Sequence, residues 1–138
     1  MNNSIIHFII IDDDSVNNMI CKMVISHALP GATVKSFTEP AKALNGIDQE
    51  IELYKDDKII MLLDVNMPEM SGWEFLQALV KKHNFSENRY MIFMASSSVN
   101  PEDKLRAVHN PHIVDFIEKP LTKEIVLQLG DNYLVHKK

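Results

Sequence analysis

The stretch Ile59-Ile60-Met61-Leu62-Leu63-Asp64-Val65-Asn66-Met67-Pro68-Glu69-Met70-Ser71-Gly72 runs five apolar residues straight into a carboxylate and then into a turn. An unbroken apolar run of that length reads as a strand covered on both faces. A carboxylate where such a strand runs out is costly unless something nearby needs its charge. The same design recurs three times. Ile5 to Ile11 ends in Asp12-Asp13-Asp14, Tyr90 to Ala95 ends in Ser96-Ser97-Ser98, and Ile113 to Ile117 ends in Glu118-Lys119-Pro120. Four hydrophobic runs therefore deliver an acid cluster, a single acid, hydroxyls and a lysine.

Helical patterns fill the intervals. Ser15 or Asp14 caps a first helix, with Val16, Met19, Ile20, Met23 and Val24 as its expected apolar face, and Pro30-Gly31 stops it. Ala32 to Phe37 mixes Thr33, Lys35 and Ser36 into a short strand that suits a sheet edge. Thr38-Glu39-Pro40 opens a second helix whose apolar side is Leu44, Ile47, Ile51 and Tyr54. Asp48 to Lys58 reads as a longer segment placed on the surface. Ser71-Gly72 precedes a third helix bearing Phe75, Leu76, Leu79 and Val80, and Lys81 to Arg89 reads as a loop. Asn100-Pro101 starts a short fourth helix with a thin apolar side, mainly Leu105 and Val108. Polar Asp115 marks the last strand as a second edge. Thr122 caps a fifth helix through Ile125, Val126, Leu129 and Tyr133, and His136-Lys137-Lys138 complements its C-terminal dipole.

Five βα units with apolar central strands define a parallel sheet with helices on both faces. With the second and fifth strands at the edges, the doubly wound order is 2-1-3-4-5. Strands one and three are then neighbours at the switch point, where ligands bind beyond the carboxyl ends of the strands. Asp12, Asp13 and Asp64 converge there, with Ser96 and Lys119 from the next two strands. Clustered carboxylates repel one another and call for a compensating cation. An all-oxygen set suits Mg²⁺, which takes one or two carboxylates and recruits phosphate. A carboxylate so neutralised can attack phosphorus and form an acyl phosphate, with Lys119 and the Ser96 hydroxyl on the phosphoryl oxygens.

Bulk properties agree with one small domain spanning residues 1–138. Apolar residues make up 46% and charged residues 24%, as in ordinary globular chains. A net charge of −5 argues against a nucleic-acid binder. The single cysteine, Cys21, is expected as a buried apolar residue, and His7 as a packed core residue rather than a ligand. The six histidines are scattered, without zinc-type spacing. Met1-Asn2-Asn3-Ser4 lacks a signal-peptide n-region, and no apolar stretch reaches a membrane span, so the cytoplasm is the expected location.

Ile9-Ile10-Ile11-Asp12-Asp13-Asp14, Leu63 through Gly72, Met94-Ala95-Ser96 and Phe116-Ile117-Glu118-Lys119-Pro120 together resemble the receiver domains of two-component response regulators. The resemblance covers Ile6 to about Leu134 and implies a flavodoxin-like fold. It implies that Asp64 accepts a phosphoryl group and that Asp13 binds Mg²⁺ directly, with Asp12 acting through water. It also implies that Asn66 completes the metal site through its backbone carbonyl, and that Pro120 follows a cis peptide. Ser96 matches the switch hydroxyl and Phe116 the aromatic whose rotamer follows it. The implied partners are a histidine kinase or histidine phosphotransfer protein as donor. A downstream protein would bind the face formed by the fourth helix, fifth strand and fifth helix. Such a domain catalyses only its own phosphorylation and dephosphorylation.

Ser96 stands where threonine is commoner in that family, Ser97 where alanine or glycine is, and Ser71 where aspartate is. Asn66 and Ser98 hold the two positions that tune dephosphorylation, and neither is acidic. An aspartate-nucleophile phosphatase would need a second acid two residues after Asp64, where this chain has Asn66. Two variants stay open: a phosphorylation-independent interaction module, and a receiver excised from a hybrid histidine kinase. With the chain ending soon after the fifth helix, a stand-alone phosphoacceptor is the expectation.

Overall fold

A computed structural model describes residues 5–54, 57–82, 85–98 and 100–136. Strand and helix alternate as β1 (His7–Ile11), α1 (Ser15–Ala28), β2 (Thr33–Phe37), α2 (Pro40–Tyr54) and β3 (Ile59–Asp64). They continue as α3 (Gly72–Val80), β4 (Tyr90–Ser96), α4 (Pro101–Val108), β5 (Ile113–Glu118) and α5 (Lys123–His136). The strands form one parallel sheet in the order β2-β1-β3-β4-β5. The expected topology and both expected edges hold.

Every residue of β1, β3 and β4 is buried, whereas β2 and β5 are partly open. Alternate residues of the inner strands feed two cores, as the period of two requires. Ile9, Ile11, Met61 and Leu63 meet α2, α3 and α4 on one side. Phe8, Ile10, Ile60 and Leu62 meet α1 and α5 on the other. Phe75, Leu76 and Leu79 on α3 and Val126, Leu129 and Tyr133 on α5 are buried as their spacing predicts. On α2 the innermost residues are Ala43 and Ile47, with Leu44, Ile51 and Tyr54 packed at the margin. Much of the segment from Asp48 onward is thus the last turns of α2. The Lys81–Arg89 loop contains a short 3-10 turn, Glu87–Arg89. Thr122 Oγ1 accepts from the Ile125 amide at 3.2 Å, as a cap should. Lys137 and Lys138, expected at the end of α5, lie outside the described residues.

Of the two cap candidates for α1 it is Asp14 that caps, its carboxylate accepting from the Val16 and Asn17 amides, and Ser15 is the first helical residue. Two local expectations are overturned. The inward face of α1 is Asn18, Cys21 and Ile25, while Val16, Met19, Ile20 and Met23 are 46–63% exposed. At 3.6 residues per turn these two sets fall on opposite sides of the helix, so α1 carries two apolar stripes and buries the smaller. On α4 the buried residue is Ala107, and Leu105 and Val108 face outward at 59% and 79% exposure. The small alanine lets the helix sit close to the sheet, which turns the bulkier residues away.

Candidate functional site

The carboxyl ends of β1, β3, β4 and β5 lie side by side because of the parallel register. Ile11 pairs with Leu63, Asp64 with Ala95, and Ser96 with Glu118. Asp12 therefore stands next to Asp64, and Lys119 follows β5 into the same crevice. Asp12 and Asp64 are buried at 2% and 6% exposure, and Asp13 is open to solvent. Carboxylate oxygens of Asp12, Asp13 and Asp64 all lie within 4.8 Å of one another.

Lys119 Nζ donates to Asp12 Oδ2 at 2.5 Å and to Asp64 Oδ1 at 3.2 Å. One lysine facing three acids leaves the crevice under-neutralised. Burial first, and then the Asp12 charge, push the Asp64 carboxyl up to about 6; Lys119 and the Asn66 amide only partly oppose this. Burial works to lower the Lys119 pKa, but its bonds to Asp12 and the charges of both acids outweigh it and hold the ammonium above its usual range. The donor set fits Mg²⁺: the clustered groups are all carboxylate oxygens, one of them solvent-facing. Each carboxylate therefore gains by a divalent cation.

Two further groups set the acids in place, and sequence reasoning passed over both. Asn17 Nδ2 donates to Asp12 Oδ2 at 2.8 Å, while the Asp14 amide donates to Asp12 Oδ1 at 2.9 Å. Gly72 lies against the backbone of the central acid: its amide donates to the Val65 carbonyl at 2.8 Å, and a Cβ there would meet the Asp64 carbonyl oxygen at 2.3 Å. Only glycine permits that approach. Asn17 was detectable as a polar residue one turn after the acid cluster, whereas the Gly72 requirement depends on where α3 lands. Ser71 caps α3 in a reciprocal box with Glu74, so its difference from the commoner aspartate is absorbed in the cap.

Ser96 lies at the end of β4, but its hydroxyl donates to the Ser98 carbonyl at 2.9 Å and accepts the Ser98 amide at 3.1 Å. It is turned into its own loop rather than onto the acids. Asn66 is exposed beside the site, its amide directed to the Asp64 carboxylate. The Lys119–Pro120 peptide is cis. Phe116 is half-buried and lines, with Lys104, Leu105, Val108 and Val114, an open groove of about 530 Å³ between α4 and β5. Cys21 is buried beneath Asp12, and burial holds its thiol up at about 11, so it stays protonated. His7 sits at the far end of β1 and takes no part in the site.

A parallel 2-1-3-4-5 sheet that gathers three acids and a lysine at its carboxyl edge is the arrangement of a receiver-type signalling domain. Residues 8–129 match the response regulator receiver domain family, and the chain belongs to it. A two-component response regulator from Cytophaga hutchinsonii is similar in structure, with a TM-score of 0.85 and 25% identity, over 96% of this chain and 99% of that one. A receiver domain protein from Methanospirillum hungatei shares the fold, with a TM-score of 0.73 and 23% identity, over 95% of each chain. In sequence, 120 residues are 27% identical to a protein-glutamate methylesterase/protein-glutamine glutaminase of Thermotoga maritima. The match takes in 87% of this chain but only 32% of that relative, so the chain spans about a third of its length. Among the described residues no helix is long and apolar enough to cross a membrane.

Proposed function

We propose that this chain is a phosphoacceptor in a two-component relay, with Asp64 taking a phosphoryl group from a phosphohistidine on a kinase or phosphotransfer protein. The observation that carries the reading is the group of three carboxylates within 4.8 Å, bridged by Lys119 across Asp12 and Asp64. An Asp64 carboxylate oxygen attacks phosphorus, the N–P bond of the donor breaks, and the imidazole leaves. Charge neutralisation and positioning supply most of what such a transfer needs.

Asp12, Asp13, Asp64 and the Asn66 carbonyl would hold Mg²⁺, which draws charge from the phosphoryl oxygens when bound. Both oxygens of Asp12 already accept from Asp14, Asn17 and Lys119, which favours contact through water; exposed Asp13 is the better direct ligand. Lys119 then follows the new phosphoryl group. The Ser96 hydroxyl swings from Ser98 towards that group, and Phe116 turns into the space vacated. The α4–β5–α5 face, with its groove, thereby changes its affinity for a downstream protein. The donor approaches over Val16, Met19 and Ile20, which α1 leaves exposed.

Intact mass after incubation with Mg²⁺ and acetyl phosphate tests the reading. One phosphoryl adduct is expected, lost on Mg²⁺ removal and in Asp64→Asn. An adduct retained in Asp64→Asn removes Asp64 from its role, and no adduct with any donor leaves the phosphorylation-independent module in its place.

A further inference from the structure

Trp73 is the residue directly after the glycine that presses on the Asp64 carbonyl. Its ring is buried against the α2–α3–α4 core, at 6% exposure. The one polar atom of that ring leaves the core: Nε1–H donates to Asp103 Oδ1 on α4 at 3.1 Å. The Arg106 guanidinium lies over the same ring, 4.5 Å from its centroid. Asp103 and Arg106 stand three residues apart, on one face of α4, and so hold the indole by its edge and its plane together.

The grip matters because α4 has little else to hold it. Ala107 is its one buried residue, and its two large apolar side chains face outward. An eight-residue helix seated by a single alanine owes much of its position to side-chain contacts such as these.

We propose that Trp73 is a latch that fixes the resting position of α4 and ties it to the Asp64 loop. Movement of the loop on phosphorylation displaces the start of α3 and draws the indole from Asp103 and Arg106. The freed α4 then remodels the groove it shares with β5. This route runs through α3, separate from Ser96 and Phe116, and its switching half rests on the phosphoacceptor reading above. Its resting half does not, because the latch is closed before any phosphoryl group arrives.

Hydrogen exchange of the α4 amides, read in the metal-free unphosphorylated protein, tests the resting half. Asp103→Ala with Arg106→Ala should speed α4 exchange roughly tenfold while the sheet amides stay as in the parent. Asp103→Asn keeps an acceptor oxygen for the indole and should stay near the parent. Glu102→Gln removes a neighbouring first-turn charge without touching Trp73 and should also stay near it. Unchanged α4 exchange in the double variant overturns the latch. Equal acceleration in Asp103→Asn or Glu102→Gln also overturns it, since helix-end charge would then be the cause.

The switching half is read with Mg²⁺ and beryllofluoride, a phosphoryl analogue, against intact mass with acetyl phosphate. The parent should show faster α4 exchange and a shifted Trp73 emission, and the double variant should show little further change. If an adduct forms but α4 and Trp73 do not respond, the coupling fails while the phosphoacceptor reading stands. If no adduct forms, the phosphoacceptor reading fails and the resting exchange alone decides the latch.

Discussion

The two ends of β1 bury polar side chains to the same degree and treat them in opposite ways. At its start His7 is 4% exposed, and just past its end Asp12 is 2% exposed. The His7 ring is closed on every side: Nε2 meets the Asp57 carboxylate at 3.2 Å, Nδ1 meets the Thr33 hydroxyl at 2.8 Å, and the Tyr54 ring stacks at 3.6 Å. At the other end the acids outnumber their cation, and Asp64 is driven to about 6. One end is a completed network, which contributes rigidity. The other holds unrelieved repulsion, which a bound divalent cation would relieve. Function sits where the fold leaves electrostatics unfinished.

The contrast breaks most sharply at His7. His7→Ala should cost about 2–4 kcal/mol of stability, because the stacked ring is lost and the Thr33 and Asp57 groups lose their partner. Urea unfolding measures it, and phosphoryl incorporation should survive. A loss below about 0.5 kcal/mol would make the two ends equivalent.

Asp64→Asn should move stability the other way. The folded carboxyl lies near 6, above its ordinary 3.8, so the neutral form is favoured by the fold. That contribution is complete below pH 3.8 and lost as pH rises through 6. In metal-free buffer at pH 8 the variant should be more stable by on the order of 2 kcal/mol, with the gap closing towards pH 4. Equal stability at pH 8 would mean that Asp64 is not strained by its neighbours.

Neighbouring acids should separate by role. Asp14→Ala should cost about 1 kcal/mol through loss of the α1 cap and leave Mg²⁺ affinity nearly unchanged. Asp13→Ala should leave stability unchanged and weaken Mg²⁺ binding most, as titration calorimetry would show. The reverse pattern would relocate the metal. Smallest for the fold is Met19→Glu, on the outer stripe of α1: under about 0.5 kcal/mol in stability. It should slow transfer from a phosphohistidine protein while leaving acetyl phosphate incorporation intact, and equal rates from both donors would place the donor elsewhere.

The strand ends were legible because composition and position coincide there. Apolar runs fix which residues are strand, and the first one or two residues after each run must then lie at the carboxyl edge, so Asp12, Asp64, Ser96 and Lys119 could be placed without coordinates. Helix faces were not legible in the same way. Val16, Met19, Ile20 and Met23 make a stronger apolar stripe than Asn18, Cys21 and Ile25, yet the weaker one is buried. The Asn18 amide explains part of this, since it donates to the Asp12 carbonyl at 3.0 Å and anchors that side of α1 inward.

By itself, then, the sequence determined the element order, the sheet topology, the edge strands and the chemical groups at the carboxyl edge. These follow from short-range pattern and from the handedness of parallel crossovers, both of which are local. Only the tertiary structure decided which stripe of α1 faces the sheet, that α4 turns its leucine and valine outward, and that Asn17 and Gly72 position the acids. It alone brought Trp73 to Asp103 and Arg106, thirty and more residues away. The reason is physical: periodicity gives a helix its stripes, but the direction called inward is set by the neighbours against which the helix packs.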